Sequence, residues 1–129
     1  MHDQILAAPS PESFLLLALP APMPVGAPPP DMAFSMSGSA FVGIYGIWQD
    51  AAGDAENEQW VRQTARQLEP IKVGHYIGET DLTANADRAR LSFAAPNRQR
   101  LGQLRNKYDP NGVFFSYLEP NGALRDLTP

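Results

Sequence analysis

Apolar positions along this chain follow two patterns. The run at 14–19 is unbroken apolar sequence, and 40–48 is dominated by β-branched and aromatic residues, so both read as strands. In the second run, Phe41, Gly43, Tyr45 and Ile47 share one face and Val42, Ile44, Gly46 and Trp48 the other. Both faces are therefore mostly apolar and need cover, and the two glycines mark a bulge, a close approach or local packing. Helical spacing governs Asp54–Leu68, where Trp60, Val61, Thr64, Ala65 and Leu68 form one stripe. Asp54 is a candidate N-cap there, with Glu56 and Glu58 early and Arg62 and Arg66 late, as the helix dipole favours; Pro70 ends the helix. A second stripe, Leu101, Leu104 and Tyr108, leaves Arg98, Arg105 and Lys107 to solvent. Pro96 suits its first turn, and Asp109-Pro110 stops it, because proline disfavours helical backbone in the preceding residue and lacks an amide donor.

Weaker signals predict a short helix at 3–8 stopped by Pro9 and Pro11, a short strand at 71–77, and a small helix to Ser92 capped by Thr83 or Asn85. Residues 20–30 are so rich in proline that an extended, polyproline-like connection is expected, a linker rather than a ligand for an aromatic groove. Together the elements predict a single α+β domain over 1–129. An antiparallel sheet pairs 14–19 with 40–48, and the helices at 56–68 and 97–107 pack on one face of it. Trp60, Leu68, Leu101 and Leu104 are the expected core.

Composition narrows the function. The chain has no cysteine, which excludes disulfides, thiolate metal sites and a cysteine nucleophile and leaves the cytoplasm as the expected compartment. Basic residues gather between 88 and 107, but the net charge is −4 and the cations sit at solvated helical positions, so no nucleic-acid partner is expected. The run at 14–19 follows Asp3 and Glu12 with no basic flank, unlike a secretory signal. It is also far shorter than the roughly 20 residues of a membrane span, so no membrane association is expected. The two-sided apolar strand at 40–48 predicts cover from a second copy, in a symmetric homodimer.

Acid, base and phenol come together once, in His75-Tyr76-Ile77-Gly78-Glu79-Thr80-Asp81. A glutamate beside a tyrosine at a strand end can take a proton from a substrate if burial raises its pKa. Acidic residues after a strand also serve as turn formers and caps, and Thr80 or Asp81 suits that role. With only His2 and His75 in the chain, a transition-metal centre lacks ligands. Neither phosphate-binding glycine motif is present, nor the Gly-x-Ser-x-Gly elbow of a serine hydrolase.

The order Arg100-Leu101-Gly102-Gln103-Leu104-Arg105-Asn106-Lys107-Tyr108-Asp109-Pro110-Asn111-Gly112-Val113-Phe114 resembles the C-terminal signature of the berberine-bridge-type FAD-linked oxidases. Trp48-Gln49-Asp50, Glu56-Asn57-Glu58-Gln59-Trp60-Val61-Arg62, Tyr76-Ile77-Gly78-Glu79 and Asn97 follow the same family order. The resemblance implies the C-terminal part of a substrate domain, an antiparallel sheet with helices that covers the isoalloxazine of FAD. It implies catalytic roles for Glu79 and Tyr76 and cofactor contacts from Tyr76, Gly78, Asn97 and Tyr117. Many family members carry Tyr-x-Asn-Tyr; here Gly78 stands at the Asn position and Glu79 at the second Tyr, so the phenol base is replaced by a carboxylate. Phe115-Ser116-Tyr117-Leu118 likewise replaces an Asn-x-Gln-type segment. The family's N-terminal FAD domain has no counterpart here. The resemblance thus implies a flavin-covering module that needs an FAD-binding domain or a separate FAD-binding subunit, and that binds FAD weakly and is colourless alone. The alternative is a non-catalytic binding or oligomerising domain of the same ancestry.

Overall fold

The computed structural model describes residues 2–20 and 32–118. The linker expected at 20–30 lies, beyond Pro20, outside the described residues. The chain forms two compact units, Met1–Pro22 with Gly38–Lys72 and Met23–Ser37 with Val73–Pro129.

The first unit carries helix α1 (His2–Leu6), strands β1 (Phe14–Ala18) and β2 (Phe41–Tyr45), and helix α2 (Asp54–Leu68). The strands pair antiparallel, with Phe14 opposite Tyr45, Leu16 opposite Gly43 and Ala18 opposite Phe41. The α+β class and the strand pairing follow the apolar runs. Phe14 and Tyr45 stack at 4.8 Å between ring centroids. The flat group approaching Gly43 is the Tyr45 ring itself, 2.5 Å from where a Cβ would stand, while Gly46 lets Val61 of α2 come to 2.6 Å from the corresponding point. Beyond the ladder, the Ser13 hydroxyl accepts from the Ile47 amide at 3.1 Å and donates to its carbonyl at 3.3 Å, extending the clasp by side-chain bonds.

Helix α2 is entered through a 3-10 turn, Ala51–Gly53, so the carboxylate that accepts an amide at this end is Asp50, from Ala52 at 2.9 Å. Asp54 is the first helical residue and instead accepts the Trp48 indole N–H at 2.6 Å. Trp60 and Thr64 are buried, whereas Leu68 is half-buried. The Trp60 indole donates to the Gln4 carbonyl at 2.7 Å, fastening α1 to α2. Pro70 falls in the 3-10 turn Glu69–Ile71 that closes the helix. Strand β1 is poorly buried. Leu16 is 42% and Leu17 63% exposed, because a two-stranded sheet is too narrow to bury a continuous apolar run on both faces.

The second unit is built on the 3-10 helix Ala86–Ser92 and on helix α3 (Ala95–Tyr108). Asn85 caps the first by accepting from the Asp87 amide at 2.9 Å. Ala89 and Ser92 are fully buried, and the Ser92 hydroxyl donates to the Arg88 carbonyl at 2.9 Å. Pro96 sits in the first turn of α3, and the preceding Ala94 amide finds the Ser35 hydroxyl at 2.8 Å. The strand expected at 71–77 does not form. Ile71 ends a 3-10 turn and Ile77 begins another turn, and among the described residues the segment forms no ladder, although His75 N–H donates to the Leu91 carbonyl at 3.2 Å.

Helix α2 contacts β2, as expected; α3 belongs to the other unit. Its apolar stripe is not core: Leu101 is half-buried, Leu104 42% exposed and Tyr108 70% exposed. The buried residue of α3 is Gly102. Spacing names the face a helix can bury, but burial follows only where another apolar layer meets that face.

Candidate functional site

All the candidate residues fall in the second unit. Tyr76, Gly78 and Glu79 share one tight turn, closed by the Glu79 amide on the Tyr76 carbonyl at 3.1 Å. The Tyr76 ring meets Phe34 edge-on at 5.5 Å and lies 3.2 Å from where a Gly78 Cβ would stand. A larger residue at 78 would therefore displace the phenol, which is 43% exposed. Glu79 is exposed at the same turn.

The neighbouring polar groups are mostly occupied with folding the loop. One Asp81 carboxylate oxygen accepts the Thr83 amide, the Thr83 hydroxyl and the Ala84 amide at 2.6 to 3.1 Å, and the Asp81 carbonyl accepts from Arg88 at 2.9 Å. Thr80 and His75 share a 3.3 Å hydrogen bond. Asp81 is thus the turn former that its position suggested. No three His, Asp or Glu side chains among the described residues are grouped to hold a metal.

Asn97 and Tyr117 are engaged elsewhere. Asn97 donates to the Met32 carbonyl at 2.7 Å and helps line a groove of about 180 Å³ with Met32, Ala33, Arg100, Leu101 and Leu104. Tyr117 meets Phe115 edge-on at 5.2 Å.

Past α3 lies a knot that the sequence reading met only as a helix stop. The Asp109 carboxylate, 8% exposed as a residue, accepts the Val113 amide at 2.7 Å and the Phe114 amide at 3.1 Å. Arg105 sits 3.2 Å from the same carboxylate and donates to the Phe114 carbonyl at 2.6 Å. Gly112, at φ +63°, takes the left-handed conformation that lets the chain fold back over this carboxylate. Asp-Pro-Asn-Gly is the signal that could have revealed it, since aspartate side chains commonly bind backbone amides just downstream. The knot holds Val113, Phe114 and Phe115 exposed at the surface.

Pockets for organic ligands occupy about 300 to 1,000 Å³, more than the groove at Asn97 offers. Tyr76 and Glu79 lie at a surface turn.

Comparison with known proteins agrees with part of this. The chain is similar to the FAD-linked oxidoreductase nodO of Hypoxylon pulicicidum, 26% identical over 82 residues, which cover 64% of this chain and 18% of that protein. The likeness supports a relationship to FAD-linked oxidases. The matched stretch is thus under a fifth of that relative's length. No family model matches the chain, and no solved structure matches it significantly. No helix among the described residues is long and apolar enough to cross a membrane.

Proposed function

We propose that this chain is the flavin-covering and substrate-facing module of an FAD-dependent oxidoreductase of the berberine-bridge type, completed by an FAD-binding domain or subunit. The observation that carries the reading is the similarity to a short portion of an FAD-linked oxidoreductase. The Tyr76 turn supports it, because it places a phenol and a carboxylate together at one exposed surface. In the completed enzyme FAD supplies the redox chemistry. Tyr76 and Glu79 face the substrate, Gly78 leaves the phenol its place, and Asn97 and Tyr117 lie toward the cofactor side.

The purified chain should be colourless and bind FAD more weakly than about 1 μM, equivalent to roughly 8 kcal/mol. Addition of its FAD-binding partner should restore turnover, and Glu79→Gln in the complex should lower kcat more than it raises KM. A flavin absorbance spectrum from the isolated chain would overturn the incomplete-module reading. A partner whose flavin spectrum and turnover ignore the chain would overturn the functional one and leave the second reading, a non-catalytic oligomerising domain. The exposed apolar surface of β1 favours that second reading.

A further inference from the structure

We propose that the outer edge of β1 is an interface with a second copy of this chain, the two β1 strands pairing antiparallel about a two-fold axis at Leu16. The proposal stands independently of the oxidoreductase reading. On its inner side β1 is bonded to β2 throughout Phe14–Ala18. Its outer side is open: the sheet has two strands, and among the described residues no backbone group of 14–18 bonds to anything but β2. Unpaired edges of this kind are templates for another strand, and proteins that keep them single usually place charges, proline or a bulge along them. Residues 13–19 read Ser-Phe-Leu-Leu-Leu-Ala-Leu, without charge or proline, and the register with β2 runs without a bulge.

The occupant follows from the strand's own symmetry. Pairing about Leu16 sets Phe14 opposite Ala18 and Leu15 opposite Leu17 of the other copy. Large side chains meet small ones at the ends, and leucines meet leucines between them. Opposed residues then share a face, so the Phe14, Leu16 and Ala18 face of one copy continues into that of the other. Glu12, the nearest charge on the N-terminal side, falls opposite Pro20 of the second copy rather than opposite its own counterpart. A chain of net charge −4 thus meets its copy along an uncharged strand. The product is a four-stranded sheet in the order β2, β1, β1, β2, which passes the roughly three strands a sheet needs for independent stability. The two-fold axis closes the contact between the two β1 edges on itself.

The absence of cysteine makes the test direct. Sedimentation of the full chain should show a dimer at about 100 μM, within reach of micromolar association. Leu17→Lys, at a position 63% exposed, should weaken dimerisation at least about tenfold with the circular dichroism spectrum unchanged. Leu16→Cys should cross-link to itself on mild oxidation, since opposed Cα atoms of an antiparallel pair, about 4.5 to 5.5 Å apart, fall in the disulfide range. Gln67→Cys, exposed on α2, should not. Should Leu17→Lys fail to fold, the cysteine pair decides. A monomer at that concentration overturns the proposal. So does a dimer that ignores Leu17→Lys and does not cross-link through position 16.

Discussion

The two units are held by different kinds of bond. In the first, a β pair and an amphipathic helix meet through large side chains, Phe14 on Tyr45 and Val61 on Gly46, and each tryptophan indole spends its one N–H on a tertiary or capping acceptor. In the second, short polar side chains stitch the backbone: Asp81, Asn85 and Asp109 each accept amides, and Ser35 takes the Ala94 amide just before α3. Apolar truncation should therefore damage the first unit most, and removal of a single carboxylate should damage the second. Periodic sequence patterns report the former directly. The latter depends on one oxygen reaching one or two amides, which no periodicity records.

The largest effect is expected from Trp60→Ala. It removes a buried ring and the bond to Gln4, and should cost about 3 to 5 kcal/mol in denaturant melts. Next comes Asp109→Ala. It strips two amides of a charged acceptor and leaves Arg105 beside them without its carboxylate, for about 2 to 3 kcal/mol. Amide exchange should accelerate at Val113 and Phe114, and an unchanged rate there would mean that the knot does not hold the turn. Gly46→Ala places a methyl 2.6 Å from a Val61 methyl and should cost about 1 to 2 kcal/mol. The smallest effect belongs to Leu104→Ala, below about 1 kcal/mol, since the side chain is 42% exposed and leaves little cavity. If Leu104→Ala cost as much as Trp60→Ala, α3 would be held by its apolar stripe and the contrast between the units would disappear.

The strands and both long helices were legible because their signals are strong and local: β-branched and aromatic runs, stripes ending at proline, and Asn85 ahead of a small helix. Burial was less legible. Leu17 and Leu104 belong to good apolar patterns yet face outward, because burial is decided by what lies opposite. The strand expected at 71–77 failed for a related reason: a strand forms only where a neighbour supplies a ladder, and none does so here among the described residues. Of the candidate site, Tyr76, Gly78 and Glu79 were legible as a sequence cluster, and the structure gathers them into one turn. The Asn97 hydrogen bond to Met32 and the Asp109 knot were not legible, because each joins residues through geometry that spacing alone does not encode.

The placement of the two tryptophans has an optical consequence. Trp48 and Trp60 both lie in the first unit, so indole emission reports on that unit alone, while the far-ultraviolet signal sums α2 of that unit and α3 of the other. An unfolding curve followed by fluorescence and by circular dichroism on one sample therefore tests the coupling between the units without a label: coincident transitions mean that they melt together, and a dichroism transition with a second step that fluorescence lacks belongs to the second unit.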